Sequence, residues 1–216
     1  MSGERKRHLA HLARGLYGFT GEPFARGRTA VEIVEALLAG GARVIQYREK
    51  QKIPRQCLAD CLRIRERTRA KGATFIVNDR PDIALLCDAD GVHLGQDDLP
   101  VRDVRRLVGP RMLIGASTHH PEQLARAAAE GADYVGVGPL FATQTKAGVG
   151  PPVGLAYLDD AVKNSPLPFV AIGGIKRSHI PELLHHGARA IAMVTEILDV
   201  EDIAGRVREI LHLLDR

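Results

Sequence analysis

The stretch PEQLARAAAEGADYVGVG, residues 121–138, decides how the chain is read. Pro121 suits the first turn of a helix, where its missing N–H is not needed. The Ala-rich run behind it favours helix, and Gly131 is placed to end that helix in a left-handed conformation. Small Ala132 then lets the backbone turn closely into 134–138, a short β-rich run built on Tyr134, Val135 and Val137.

The same pair recurs as Gly41 and Ala42 before Val44, Gly72 and Ala73 before Thr74, and Gly187 and Ala188 before Ala190. Short apolar runs at 16–20, 44–48, 74–77, 91–94, 112–117, 134–138, 169–172 and 190–194 alternate with segments of helical period. Val31, Val34, Leu37 and Leu38 share a face of 29–39, and Ile203, Val207, Ile210 and Leu214 do so in 202–214. Helices over 122–130 and 180–186 stop at Gly131 and Gly187. Loop lengths vary too widely for a solenoid. Strands separated by helices demand a parallel sheet, and eight such units close most economically into a single-domain α/β fold, the (β/α)₈ or TIM barrel. Residues 1–15 precede it as an N-terminal extension or helix, and 16–216 form the barrel. An open doubly wound sheet is the alternative. It needs a dinucleotide fingerprint after the first strand, and Gly15, Gly18 and Gly21 are wrongly spaced for one.

Composition agrees. At 216 residues and 45% hydrophobic, the chain can bury a core without staples, which excludes disorder. Cys57, Cys61 and Cys87 lack further Cys or clustered His at ligand spacing, so they read as small buried hydrophobes in a reducing cytoplasm. No apolar run approaches the roughly 20 residues of a membrane helix, and 1–15 lack a signal-peptide core, so no membrane partner is expected. The densest basic run, Arg63, Arg65, Arg67, Arg69 and Lys71, includes Glu66 and has no aromatic platform. It reads as a solvated helix face, not as a nucleic-acid patch. Self-association stays open, since barrels of this size often pair through outer helices.

In such a barrel, catalysis takes place where strand C-termini and their loops share a mouth. Here those positions are crowded with polar groups. Strand two ends in Gln46-Tyr47-Arg48-Glu49-Lys50, with Gln46, Arg48 and Lys50 on one side by alternation. Strand three ends in Asn78 and Asp79, and strand four runs through His93 to Gln96, Asp97 and Asp98. Strand five ends in Ser117, Thr118 and His119, and the loop after strand six holds Thr143-Gln144-Thr145-Lys146. Taken singly, each has a plain reading. Asn78 and Asp79 could cap a helix, Asp97 could face a helix N-terminus, and His93 could be a hydrogen-bonded interior histidine. Together, Arg48, Lys50 and Lys146 beside Asp79 and Asp98 make sense around a polyphosphate carrying Mg²⁺, which takes one or two carboxylates plus phosphate oxygens. A second anion site is signalled by Gly173 and Gly174 after strand seven and by Val194 and Thr195 after strand eight.

Six pieces in register carry a resemblance over nearly the whole chain. They are Gln46-Tyr47-Arg48-Glu49-Lys50, Asn78-Asp79, the run from Asp90 to Asp98, Gly136-Val137-Gly138-Pro139, Thr143-Gln144-Thr145-Lys146 and Ile172-Gly173-Gly174-Ile175. So arranged, the chain resembles the thiamine-phosphate synthase family. The resemblance implies joining 4-amino-2-methyl-5-hydroxymethylpyrimidine diphosphate to a thiazole phosphate, or its carboxylated form, with release of diphosphate. It implies phosphorylated small-molecule substrates and Mg²⁺. Arg48, Lys50, Asn78 and Lys146 would hold the diphosphate, and Asp79 and Asp98 the metal. Gln46, His93 and Ser117 would surround the pyrimidine, Ser117 also near the leaving group. Thr143, Thr145, Gly174, Val194 and Thr195 would contact the thiazole phosphate. Arg48, Lys50, Ser117 and Lys146 are thus the expected catalytic set. Thr195 stands where many relatives carry Ser, which keeps the hydroxyl.

Two alternatives accompany this reading. The segment from Gly148 to Gly154 is similar to that of thiazole tautomerases on the same fold, for which His119 or His120 would move the proton. A tautomerase does not need the cation and carboxylate cluster. A non-catalytic phospho-ligand-binding barrel would not need two metal-type carboxylates either. The Gly/Pro frame over 147–154 makes the strand-six loop the expected lid.

Overall fold

A computed structural model describes residues 3–143, 145 and 150–215. Helix α1 (Gly3–Ala13) leads into β1 (Gly15–Phe19), α2 (Ala30–Gly40), β2 (Val44–Tyr47), α3 (Pro54–Ala70) and β3 (Thr74–Asn78). Then come α4 (Pro81–Leu86), β4 (Gly91–Leu94), α5 (Val101–Val108), β5 (Leu113–Thr118), α6 (Pro121–Ala129) and β6 (Tyr134–Val137). The chain ends with α7 (Gly154–Asn164), β7 (Phe169–Ile172), α8 (Ile180–His185), β8 (Ala190–Met193), α9 (Thr195–Leu198) and α10 (Ile203–Leu214). All strands pair in parallel and in chain order, and β8 closes on β1. The expected (β/α)₈ barrel is the observed fold.

The Gly–Ala junctions show why helix passes to strand where it does. Gly41, Gly72, Gly131 and Gly187 all take positive φ. The N–H of the following alanine donates to the carbonyl five residues back, as Ala132 does to Ala127 (2.9 Å) and Ala188 to Leu183 (2.9 Å). This satisfies a helix-end carbonyl while the alanine is buried at the turn. A fifth junction uses Asp88 at φ 53, with the Ala89 N–H donating to Ala84 (2.9 Å). Aspartate tolerates the left-handed region better than most side chains, so the motif persists without its glycine.

Two apolar layers result. The larger lies between strands and outer helices and includes Val34, Leu37, Phe75, Val92 and Ile210. The smaller fills the barrel with Tyr17, Phe19, Val44, Ile76, Leu113 and Tyr134, together with Leu12 from α1. Cys57, Cys61 and Cys87 are buried and unpaired, as expected of small hydrophobes. Among the described residues, no helix is long and apolar enough to cross a membrane. The basic run on α3 is more engaged than a solvated face. Arg65 pairs with Asp90 (2.9 Å), Arg67 with Glu35 (2.5 Å) and Arg69 with Asp88 (2.5 Å), because α3 packs beside acidic positions of its neighbours.

Helix α1 seals the base of the barrel. Its Arg5 pairs with Asp133, whose carboxylate also accepts the Ile114 N–H (2.8 Å) and meets Arg105 (2.6 Å). His8 Nδ1 and His11 Nδ1 lie 2.9 and 3.0 Å from the Thr74 hydroxyl, and His8 Nε2 lies 3.5 Å from Asp90. Burial lowers both imidazoles from the ordinary histidine value, outweighing the opposing pull of Asp90. Between about pH 6.5 and the lowered native values, the unfolded chain therefore binds more protons than the folded one. The seal contributes fully above that window and weakens as pH falls through it. Thermal melts on either side of it should show the drop, and the double variant His8→Gln/His11→Gln should shrink it. An undiminished drop in the double variant would remove these histidines from the account.

Candidate active site

A cavity of about 460 Å³ opens at the C-terminal ends of the strands, within the size range of small-molecule sites. The pleat of β2 sorts its polar residues. Gln46 is buried inside the barrel, while the Tyr47 hydroxyl points outward and donates to Asp60 (3.0 Å). Arg48 and Lys50 continue on the Gln46 side and line the cavity. The Arg48 N–H donates to Thr20 Oγ1 (2.8 Å), which pins the loop to the end of β1. Burial lowers the Arg48 guanidinium from its usual value against the pull of nearby Asp79.

Asn78 ends β3 in register with His93. The chain then turns through Asp79 at φ 61, whose N–H donates to the His93 carbonyl (2.8 Å). This turn carries the Asp79 carboxylate to Lys50 Nζ (2.9 Å) and within hydrogen-bond reach of Asp98. Asp98 does not itself line the cavity; its carboxylate accepts the Gly95 N–H (2.6 Å). The two acids differ in character. Burial opposes charge on Asp79, yet the Lys50 ammonium and the bond to Asp98 outweigh it and hold the acid below the usual carboxylate range. Asp98 is pushed above that range, first by burial and then by Asp79. A pair of adjacent carboxylates, one held low by Lys50 and the other raised by burial and by its neighbour, suits a hard divalent cation. Among the described residues, no group of three or more His, Cys, Asp or Glu is placed to hold a metal. A cation between Asp79 and Asp98 would therefore take its remaining oxygens from water or from a ligand, as a phosphate-bound Mg²⁺ does.

The remaining wall comes from β4 to β8. His93 and Ser117 face each other across a 3.0 Å contact between Nε2 and Oγ. On the far side lie Thr143, Thr145, Gly174, Val194 and Thr195. The loops after β6 and β7 are laced together: Leu140 donates to the Ile172 carbonyl (2.9 Å) and Phe141 to the Gly173 carbonyl (2.9 Å). Such closeness needs glycine at both Gly173 (φ 99) and Gly174 (φ 64), since a Cβ at the second would overlap the Ala142 and Phe141 carbonyls.

The structure thus gathers Gln46, Arg48, Lys50, Asn78, Asp79 and His93 with Ser117 and the five residues opposite, and sets Asp98 one step behind. Lys146 lies outside the described residues, as do 147–149 of the expected lid. His119 lines the cavity with Nδ1 on the Gly138 carbonyl (2.5 Å), while exposed His120 pairs with Glu122 (2.7 Å). Sequence reasoning passed over Thr20, Tyr17 and Tyr134. The available signal was alternation: Tyr17 is two residues from Phe19, so the two aromatic side chains share a face of the first strand.

Comparison with known proteins follows the same outline. The family model described as thiamine monophosphate synthase matches residues 16–197. A thiamine-phosphate synthase of Pelotomaculum thermopropionicum is 54% identical over 98% of each chain. One from Lawsonia intracellularis is 51% identical over 92% of each. Among solved structures, a thiamine phosphate pyrophosphorylase from Pyrococcus furiosus superposes with a TM-score of 0.87 at 33% identity, covering 95% of this chain and 98% of that one.

Proposed function

Because the chain belongs to the thiamine monophosphate synthase family, whose named members are transferases, we propose that it couples a pyrimidine diphosphate to a thiazole phosphate at this cavity. The substrates are 4-amino-2-methyl-5-hydroxymethylpyrimidine diphosphate and 4-methyl-5-(2-phosphooxyethyl)thiazole, or the carboxylated thiazole with loss of CO₂. The observation that carries this reading is one cavity with two unlike ends. Cations and paired carboxylates stand at one, glycine-bearing loops and hydroxyls at the other.

Arg48 offers a planar fork and Lys50 a point charge to the diphosphate, with Asn78 as an amide donor and Lys146 as a further cation. Asp79 and Asp98 would hold Mg²⁺, which supplies positive charge to the departing diphosphate when bound. The C–O bond ionises with its electron pair leaving on diphosphate, and the aminopyrimidine delocalises the resulting cation. The thiazole nitrogen then captures that cation. No protein nucleophile is required. The residues stabilise charge on the leaving group and align two reactants, Gln46 and His93 at the pyrimidine, Ser117 between ring and leaving group, Thr143, Thr145, Gly174, Val194 and Thr195 at the thiazole phosphate.

Incubation of the purified protein with both substrates and Mg²⁺ should yield thiamine phosphate and diphosphate in equal amounts. Isomerised thiazole without coupling would replace this reading with a tautomerase. Tight binding of both ligands without turnover would replace it with a phospho-ligand-binding barrel.

A further inference from the structure

A chain of hydrogen bonds crosses the barrel beneath the cavity. Gln46 Nε2 donates to the Tyr17 hydroxyl (2.8 Å), which lies 2.8 Å from the Tyr134 hydroxyl. The Tyr134 oxygen lies 3.0 Å from His93 Nδ1, and His93 Nε2 lies 3.0 Å from Ser117 Oγ. Burial pushes both phenols well above their ordinary value, so each remains an intact O–H.

The donors fix the direction of this chain. An amide nitrogen can only donate, so Tyr17 accepts from Gln46. Tyr17 is buried, and among the described residues its hydroxyl proton meets one further acceptor, the Tyr134 oxygen. A buried hydroxyl left without an acceptor is costly, so Tyr17 donates to Tyr134, and Tyr134 donates onward to His93 Nδ1. The imidazole then carries its proton on Nε2 and donates to Ser117. The serine proton is thereby turned away from His93 toward the cavity that Ser117 lines.

One glycine makes the crossing available. His93, Gly115 and Tyr134 stand abreast on β4, β5 and β6. A Cβ at Gly115 would sit 2.5 Å from His93 Nδ1 and would collide with Tyr134 Cζ and Cε1, so only glycine leaves room for the two side chains to meet.

We infer that Tyr134, reaching across the gap at Gly115, is a positioning residue that sets the His93 tautomer and so presents the Ser117 hydroxyl proton to the ligand. This rests on the coupling reaction proposed above for its kinetic consequence, but not for the tautomer itself. Long-range ¹H–¹⁵N spectra of the ¹⁵N-histidine-labelled, ligand-free protein, with His93 assigned by difference from His93→Gln, should show a neutral ring protonated on Nε2. Tyr134→Phe should lose that single-tautomer signature. It should also lower kcat of the coupling about tenfold with KM for both substrates within about twofold, the loss expected of one oriented hydrogen bond. A wild-type His93 protonated on Nδ1 overturns the inference, as does a Tyr134→Phe enzyme that keeps either its tautomer or its kcat. Should the wild type perform no coupling, the proposed reaction fails while the spectrum still decides the tautomer. Should Tyr134→Phe not fold, the wild-type spectrum decides alone.

Discussion

Asp79→Asn should lower turnover roughly 10²- to 10³-fold while leaving the melting temperature nearly unchanged, a loss of the size seen when one preorganised electrostatic contact is removed. Asparagine is the informative replacement. The backbone at 79 is left-handed (φ 61), where Asn is tolerated and Ala would add strain of its own. The carboxylate accepts from Lys50 and bonds Asp98, so its charge organises the cationic end of the cavity. Neutralising it leaves Lys50 without its counter-ion and Asp98 without the neighbour that raises its affinity for protons. Turnover should recover in part as Mg²⁺ is increased, because a weakened site fills by mass action. Lys146→Ala should fall by a comparable factor without any dependence on Mg²⁺. Near-normal turnover in Asp79→Asn would detach the paired acids from the chemistry.

Gly173→Ala should be the more damaging change to the fold. At φ 99 a side chain is strained, and its Cβ would press against Pro139, with the Pro139 Cβ only 2.5 Å away. The cost is about 1–3 kcal/mol for the backbone conformation, before any contribution from the collision. For a domain of this size each kcal/mol corresponds to about 2–4 °C in melting temperature. Relief requires the loops after β6 and β7 to separate, breaking the bonds from Leu140 to Ile172 and from Phe141 to Gly173. Coupling should then drop by more than tenfold, chiefly through a raised KM for the thiazole phosphate, since those loops carry Thr143, Thr145 and Gly174. An unaltered melt together with unaltered kinetics would show that the two loops do not depend on each other.

The barrel was legible because its punctuation is local. Helix-ending glycine, buried alanine and a short apolar run are all read within ten residues, and each expected strand is found within one residue of its ends. The junction at Asp88 and Ala89 shows the limit of that signal: the geometry is the same, but the residue that advertises it is not glycine. The cavity's polar residues were legible for a related reason, since alternation along β2 and proximity to strand ends are properties of one strand at a time. What escaped notice depends on several strands at once. That Tyr134 meets both Tyr17 and His93 follows from barrel closure and from an empty position at Gly115, neither of which leaves a mark in the neighbouring sequence. The role of α1 was hidden likewise. Its polar residues look solvated until the partners Thr74, Asp90 and Asp133 are brought beneath it from three other segments.

Leu12 and the tyrosines pack the base of the barrel, so among the described residues the floor beneath the cavity is filled with side chains. Under the proposed coupling, two reactants would enter and two products depart at the open, C-terminal end of the strands. A reactant seated against that floor would lie beneath its partner, and the coupling would then follow a sequential order of addition, which initial-rate and product-inhibition kinetics would show.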